Sequence, residues 1–255
     1  MSLLNITPAD YRIGVTLLSG GLDSTTCAYH MDAANPQYDE MHAVSIDYGQ
    51  RHKKEMEYAL KTCDRLMMKH HILPVPNIFP KSMLTDTNVA VPDISYDEIK
   101  GVSPTYVPFR NGTMLSLVTA FAEGLIKNYE EAYCNGAGND INPGEMPSVQ
   151  ADVYFGAHSE DAANWAYPDC TPEFIGAMAN AIHVGSYGRI RLVTPLQWLD
   201  KAGIVKLGDF HGVRWEETWS CYKGEEKQCG TCPTCLSRRN GFMLAGVVDP
   251  TEYAA

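Results

Sequence analysis

The run Ile13-Gly14-Val15-Thr16-Leu17-Leu18 passes directly into Ser19-Gly20-Gly21-Leu22-Asp23-Ser24, and this junction decides the fold class. A short apolar run that stops at glycines reads as a buried strand. Residues 24–31 then read as a helix, with Asp23 predicted to cap its free N–H groups. The pattern repeats downstream. Residues 41–47 (MHAVSID) predict a second strand. Residues 53–69 predict a helix on the spacing of Met56, Leu60 and Met67, and residues 70–73 a third strand ended by Pro74. Strand and helix alternating at these lengths predict an α/β fold around a parallel sheet.

Further along, residues 75–108 carry five prolines and little periodicity, a length of loop that in a compact domain is usually functional. A helical pattern resumes over 111–126 through Met114, Leu115, Val118 and Phe121. Residues 135–147 read as a Gly-, Asn- and Pro-rich excursion, 153–157 (VYFGA) and 190–193 as strands, and 172–182, 200–210 and 236–245 as helices. No linker separates independent units. Residues 1–255 are therefore read as a single domain, with 218–246 as an element within it.

The 255 residues carry 20 Lys and Arg against 31 Asp and Glu, a net charge of −11. That balance argues against a sequence-independent grip on nucleic acid, which depends on cations neutralising phosphates. No apolar run approaches the ~20 residues that span a bilayer, and residues 1–12 lack the basic start and apolar centre of a secretory signal. The expectation is a soluble, cytoplasmic protein with neither a membrane nor a nucleic-acid partner.

The glycine junction also carries chemistry. A helix N-terminus offers unpaired N–H groups and the positive end of the helix dipole, and glycines let backbone approach an anion closely. Ser19, Ser24, Thr25 and Thr26 add hydroxyls, and Asp23 can help hold Mg²⁺ against phosphates. Neither G-x-x-x-x-G-K-[ST] nor G-x-G-x-x-G is present, which argues against a Walker loop and a Rossmann dinucleotide site. The alternative is a tight turn that uses glycine for geometry alone. Ser-Gly-Gly-x-Asp-Ser after a first strand resembles the pyrophosphate loop of N-type ATP pyrophosphatases, which cleave ATP between its α and β phosphates and transfer AMP to a substrate oxygen. The resemblance implies that Leu18, Ser19, Gly20, Gly21, Leu22, Asp23, Ser24, Thr25 and Thr26 hold the pyrophosphate part of ATP. It also implies that Asp47 and Tyr48, in Asp47-Tyr48-Gly49-Gln50, lie near the nucleotide.

Of eight cysteines, Cys221, Cys229, Cys232 and Cys235 form C-x7-C-x2-C-x2-C. Four thiolates at this spacing suit a closed, structural tetrahedral Zn²⁺ site, and Lys227, Arg238 and Arg239 are expected to offset its charge. A redox C-x-x-C is the competing reading, but it normally starts a helix after a strand. A zinc-containing binding module, with the glycine loop incidental, is the rival from a different function class.

Two further strings precede helices: Tyr106-Val107-Pro108-Phe109-Arg110-Asn111 and Tyr167-Pro168-Asp169-Cys170-Thr171-Pro172. Taken singly, each could be only a helix start. Trp165 and Tyr167 could be core, and His158, Asp161 and Asp169 could be polar pairs. Together with the glycine loop and Thr218-Trp219-Ser220-Cys221-Tyr222, in this order, they closely resemble the 7-cyano-7-deazaguanine synthase family over residues 12 to 250. The resemblance implies conversion of 7-carboxy-7-deazaguanine to its nitrile with ATP and ammonia, through adenylated carboxylate and amide intermediates, by a homodimer. It places Asp23 and Arg110 in catalysis. Asn111, His158, Asp161, Trp165, Tyr167 and Asp169 fall around the heterocycle, with Asp161 or Asp169 accepting from a guanine-like edge.

Three departures fall near that pocket. Residues 156–167 (GAHSEDAANWAY) are longer than in many members, Thr171 stands where those members have Arg, and residues 129–150 read as an insertion. A variant stopping at the amide, or a pyrophosphatase acting on another carboxylate or a tRNA base, are the alternatives they leave. No glutaminase block is visible, so ammonia would be free or supplied by a partner. Cys170 is read as a buried thiol rather than a nucleophile.

Overall fold

The computed structural model describes residues 9–34, 37–49, 54–76, 78–79, 84, 91, 93, 98, 101–137, 146–223 and 226–254. Gln50 and most of the proline-rich loop before residue 101 lie outside them. Among these residues, five strands form one sheet in the order β3-β2-β1-β4-β5, and every neighbouring pair is parallel. The strands are β1 (Tyr11–Leu17), β2 (Glu40–Asp47), β3 (Lys69–Pro74), β4 (Val149–Tyr154) and β5 (Ile190–Val193). The helices are α1 (Leu22–Asp32), α2 (Lys54–Leu66), α3 (Arg110–Ala137), α4 (Ser159–Ala162), α5 (Pro172–Gly185), α6 (Lys201–Phe210) and α7 (Pro233–Ala245). Short 3₁₀ turns cover Ala163–Trp165, Pro168–Cys170 and Trp215–Glu217.

Alternation along the central strands feeds two cores, as expected of a sheet covered on both faces. On one face Ile13, Val15, Leu17, Val44 and Ile46 pack with Leu115, Val118, Ala122 and Ile126 of α3 and Ile182 of α5. On the other, Ala43 and Tyr154 pack with Ala28 and Met31 of α1, Ile204 and Val205 of α6 and Phe242 of α7. The chain leaves β1 toward β2 on one side and reaches β4 on the other. The β1/β4 boundary is thus the point where strand order reverses, and open α/β sheets bind ligands outside the carboxyl ends of strands there.

Several sequence expectations shift. Helix α1 begins at Leu22, and its N-cap is Gly21 with no side-chain cap, so Asp23 lies inside the first turn instead of capping it. Helix α2 stops at Leu66, because Met67 turns into the left-handed region (φ 53°). Helix α3 runs on to Ala137, well past the expected end at 126. Strand β4 begins at Val149 and ends at Tyr154, before the expected VYFGA run is complete. Thr171, a departure from the family pattern, caps α5: its side chain accepts from Phe174 N, with Pro172 next at the first helical position.

Candidate active site

The carboxyl ends of β1, β2 and β4 open into a single cleft. Its walls take Leu18, Ser19, Gly21, Asp23 and Ser24 from the glycine loop and Tyr48 from beyond β2. They also take Arg110 and Asn111 from the start of α3, Asp161 from α4, and Tyr167 and Cys170. A smaller hollow adjoins it and shares Ser19, Gly21, Asp23, Glu55, Asp161 and Tyr222. Lys201, Ser220, Thr234 and Ser237 line only the smaller one.

The loop is held by its own hydroxyls. Ser19 N donates to Ser24 Oγ at 3.1 Å, Gly21 N to Ser19 Oγ at 3.3 Å, and the two hydroxyls lie 3.0 Å apart. Gly20 has φ +84°, and a Cβ there would sit 2.2 Å from Glu55 O and 2.7 Å from Ala59 N. Glycine at 20 therefore lets the loop pass directly over the start of α2. Thr25 and Thr26 behave differently from Ser24. Both are buried, and Thr26 Oγ1 donates to Leu22 O within the helix. Neither reaches the cleft; one and two positions past Ser24, the helical turn rotates them toward the core.

Asp23 is the centre of a charged group. Lys201 Nζ donates to Asp23 Oδ1 at 2.7 Å and lies 3.0 Å from His158 Nε2. His158 Nε2 lies 3.6 Å from Asp23 Oδ2 and 3.3 Å from Asp161 Oδ2. Burial pushes the Asp23 carboxyl up, but Lys201 and His158 outweigh it and hold it well below the usual carboxylate range. His158 is 2% exposed; burial pulls its pKa down, and the carboxylates of Asp161 and Asp23 raise it above the usual imidazole value. His158 is on neither cavity wall and sits behind the two aspartates.

At the other side of the cleft, Arg110 Nη1 reaches Tyr48 Oη at 3.5 Å. Asp169 is buried and accepts from Asn111 N at 3.0 Å, binding one of the free N–H groups of the α3 start. Asn111 Nδ2 donates to Asp169 O and Cys170 Sγ. Asp169 is therefore a support for α3 and not a cleft wall. The Tyr167 hydroxyl is anchored by Ser103 and Thr105, which leaves its ring facing the cavity. Burial, with Asp161 and Asp169 nearby, pushes the Cys170 thiol well above its usual range, the behaviour of a packed thiol. Trp165 is 65% exposed in the left-handed region and does not meet the cleft. Asp47 accepts from Gly49 N in the turn after β2.

The four cysteines 221, 229, 232 and 235 are all buried, and their sulfurs lie within 4.8 Å of one another. Cys229 and Cys235 Sγ are 3.9 Å apart, close to the roughly 3.8 Å edge of a tetrahedron with ~2.3 Å metal–sulfur bonds. The donor set fits a metal ion. Backbone N–H groups face the sulfurs: Lys223 and Cys229 donate to Cys221 Sγ, and Thr231 and Cys232 to Cys229 Sγ. Of the three cations expected to offset the charge, Arg239 donates from Nη1 to Gly230 O between Cys229 and Cys232, and the other two are engaged elsewhere. Buried Arg238 binds Asp249, Thr218 Oγ1 and Trp215 O, and Lys227 pairs with Glu252.

Sequence reading missed Lys201 and Glu55. Lys201 opens α6, where a positive charge opposes the helix dipole. A lysine in that position is the local signal that something other than helix stability placed it. Glu55, in the first turn of α2, had no such signal.

The family described as "Queuosine biosynthesis protein QueC" matches residues 13–133 and 148–246. The break falls within the stretch read as an insertion. The chain is 39% identical over 241 residues to the 7-cyano-7-deazaguanine synthase of Methanoregula boonei, covering 94% of this chain and 98% of that one. It is 40% identical over 250 residues to the enzyme of the same name from Thermoplasma volcanium, covering 94% and 90%. With the one from Rhizobium johnstonii it shares 40% over 245 residues, covering 94% and 91%.

Proposed function

The chain belongs to the queuosine biosynthesis protein QueC family and is an ATP-dependent ligase of the 7-cyano-7-deazaguanine synthase type, and we propose that its cleft activates the same substrate position twice with ATP. A 7-carboxy-7-deazaguanine is a poor acyl donor because its carboxylate oxygen cannot leave. Transfer of AMP to that oxygen makes it a leaving group, and ammonia then gives the amide. Adenylation of the amide oxygen lets a second AMP depart as the nitrile forms. One observation carries this reading: the glycine loop, Arg110, Asp161 and Tyr167 wall a single cleft at the β1/β4 switch point.

Each residue has a role in this scheme. The N-terminus of α1 and the loop N–H groups receive the pyrophosphate end of ATP in the smaller hollow, and Lys201 there meets phosphate oxygens. Arg110 opposes charge on the α-phosphate or the substrate carboxylate. Asp161 accepts from the guanine-like edge, and the Tyr167 ring lies against the heterocycle. No side chain attacks the substrate; positioning and charge stabilisation suffice. Mg²⁺ would travel with the phosphates, and Asp23, with one oxygen given to Lys201, is the carboxylate that would hold it. The ion at the four cysteines is Zn²⁺, in a structural role. The protein works as a cytoplasmic homodimer without nucleic acid.

The test is a mass-resolved assay with 7-carboxy-7-deazaguanine, ATP, Mg²⁺ and ammonium. Nitrile with AMP is expected. Amide with AMP and no nitrile would remove the second activation, and the absence of substrate-dependent AMP would overturn the reading.

A further inference from the structure

Among the described residues, six line both cavities, so they mark the junction between the pyrophosphate end and the rest of the cleft. If the smaller hollow takes pyrophosphate, the α-phosphorus and the carbon it activates lie at this junction. Three of the six are carboxylates. Asp23 is neutralised by Lys201 at 2.7 Å. Asp161 is paired with His158 at 3.3 Å. Glu55 alone has no ion pair or hydrogen bond to its carboxylate among the described residues.

The proposed reaction consumes ammonia, whereas neutral water holds mostly ammonium, which has no lone pair to attack with. We propose that Glu55 is the proton acceptor that converts ammonium to ammonia at the acyl-adenylate, an inference that rests on the ligase reading above. Ammonium gives one proton to the Glu55 carboxylate. The nitrogen lone pair then forms the C–N bond while the C–O bond to AMP breaks, its electron pair leaving on the AMP phosphate. The nitrogen releases its second excess proton to solvent, and Glu55 returns its own before the next cycle.

The surroundings suit the task. Burial pushes the Glu55 carboxyl up to about 7, with the Arg110 guanidinium of α3 pulling against it. Among the described residues, the other titratable or charged groups at the junction are Asp23 of α1, Asp161 of α4 and the Tyr222 phenol, with the Tyr48 phenol on the adjoining wall of the larger cleft. Lys201 of α6 faces it across the smaller hollow. A carboxylate near neutrality is matched to accepting a proton at physiological pH.

The experiment compares wild type with Glu55→Gln and Glu55→Asp across pH. It uses ammonium and, separately, hydroxylamine, a nucleophile uncharged at neutral pH. With ammonium at pH 7, Glu55→Gln is expected to lose about 100-fold in kcat/KM for ammonium. Its rate should then follow the free-ammonia concentration, without the wild-type inflection near neutrality, and Glu55→Asp should recover part of the loss. With hydroxylamine all three proteins are expected to agree within about threefold, as is carboxylate-dependent ATP–pyrophosphate exchange. Unchanged ammonium kinetics in Glu55→Gln would overturn the assignment. So would an equal loss with hydroxylamine or in exchange, which would make Glu55 a part of adenylation. Absence of exchange in wild type would instead overturn the ligase reading on which it rests.

Discussion

The backbone N–H of Trp219 donates to Gly20 O at 2.9 Å, joining the segment that enters the four-cysteine cluster to the glycine loop. The same segment is braced by Gln228, which accepts from Ser220 N and donates to Thr218 O, and by Trp219 Nε1 donating to Cys221 O. The Trp219–Gly20 contact ties the four-sulfur cluster to the glycine loop. Cys232→Ser should lower bound zinc and melting temperature together, and raise the KM for ATP in whatever fraction stays folded. Metal analysis, thermal melts and ATP titration of AMP release check this. Full zinc in a stable Cys232→Ser protein would remove that residue from the ligand set, and an unchanged KM after zinc loss would uncouple the cluster from the loop.

Lys201 and Asp23 are 178 positions apart in sequence and 2.7 Å apart in space. Lys201 is nearly buried, so removing its partner leaves a charge that water cannot reach. Breaking such a pair costs on the order of 3 kcal/mol, and less where one partner is part-exposed, as Asp23 is here. Asp23→Ala should abolish AMP formation while the protein stays folded by circular dichroism. Lys201→Met should do the same, and the double variant should be less destabilised than the two single losses added together. Retained turnover in Asp23→Ala would sink the pyrophosphate-loop assignment.

This pair marks the limit of what the sequence discloses. The strand–glycine–helix junction and the cysteine spacing were legible because each is local: a few adjacent residues set both conformation and chemistry. The parallel sheet followed from element lengths alone. The Lys201–Asp23–His158–Asp161 group was not legible, because it exists only after β4 and α6 are brought against α1. Trp165 sits in a segment where neither periodicity nor capping fixes the direction of a side chain, and it points away from the cleft. Thr25 and Thr26 could be placed only once α1 was known to start at Leu22, which fixes the face each presents.

His158 gives the charged group a pH signature. Its folded pKa is raised, by Asp161 and Asp23 acting against burial and Lys201. A raised basic group contributes stability that is fully present below the unfolded value of about 6.5, and loses it as pH rises through the folded pKa. The melting-temperature gap between wild type and His158→Gln should therefore be widest below about pH 6.5 and narrow as pH rises. A gap that widens with pH would mean that His158 is held neutral, accepting from Lys201, and would reverse the assignment.

The glycine loop offers a test that separates backbone strain from close packing. Gly20 and Gly49 both have positive φ, +84° and +80°. Alanine at either position pays for the left-handed backbone, about 1–2 kcal/mol. At Gly49 a Cβ meets nothing within 4 Å among the described residues, whereas at Gly20 it would fall 2.2 Å from the Glu55 carbonyl oxygen, a backbone atom that cannot swing aside. Gly20→Ala must therefore push α2 away from the loop, displacing Glu55 as well as the loop's own N–H groups. Urea unfolding should show Gly20→Ala destabilised by clearly more than Gly49→Ala, with AMP formation lost only in the former. Equal losses in both variants would mean that positive φ alone, and not the approach of α2, explains glycine at position 20.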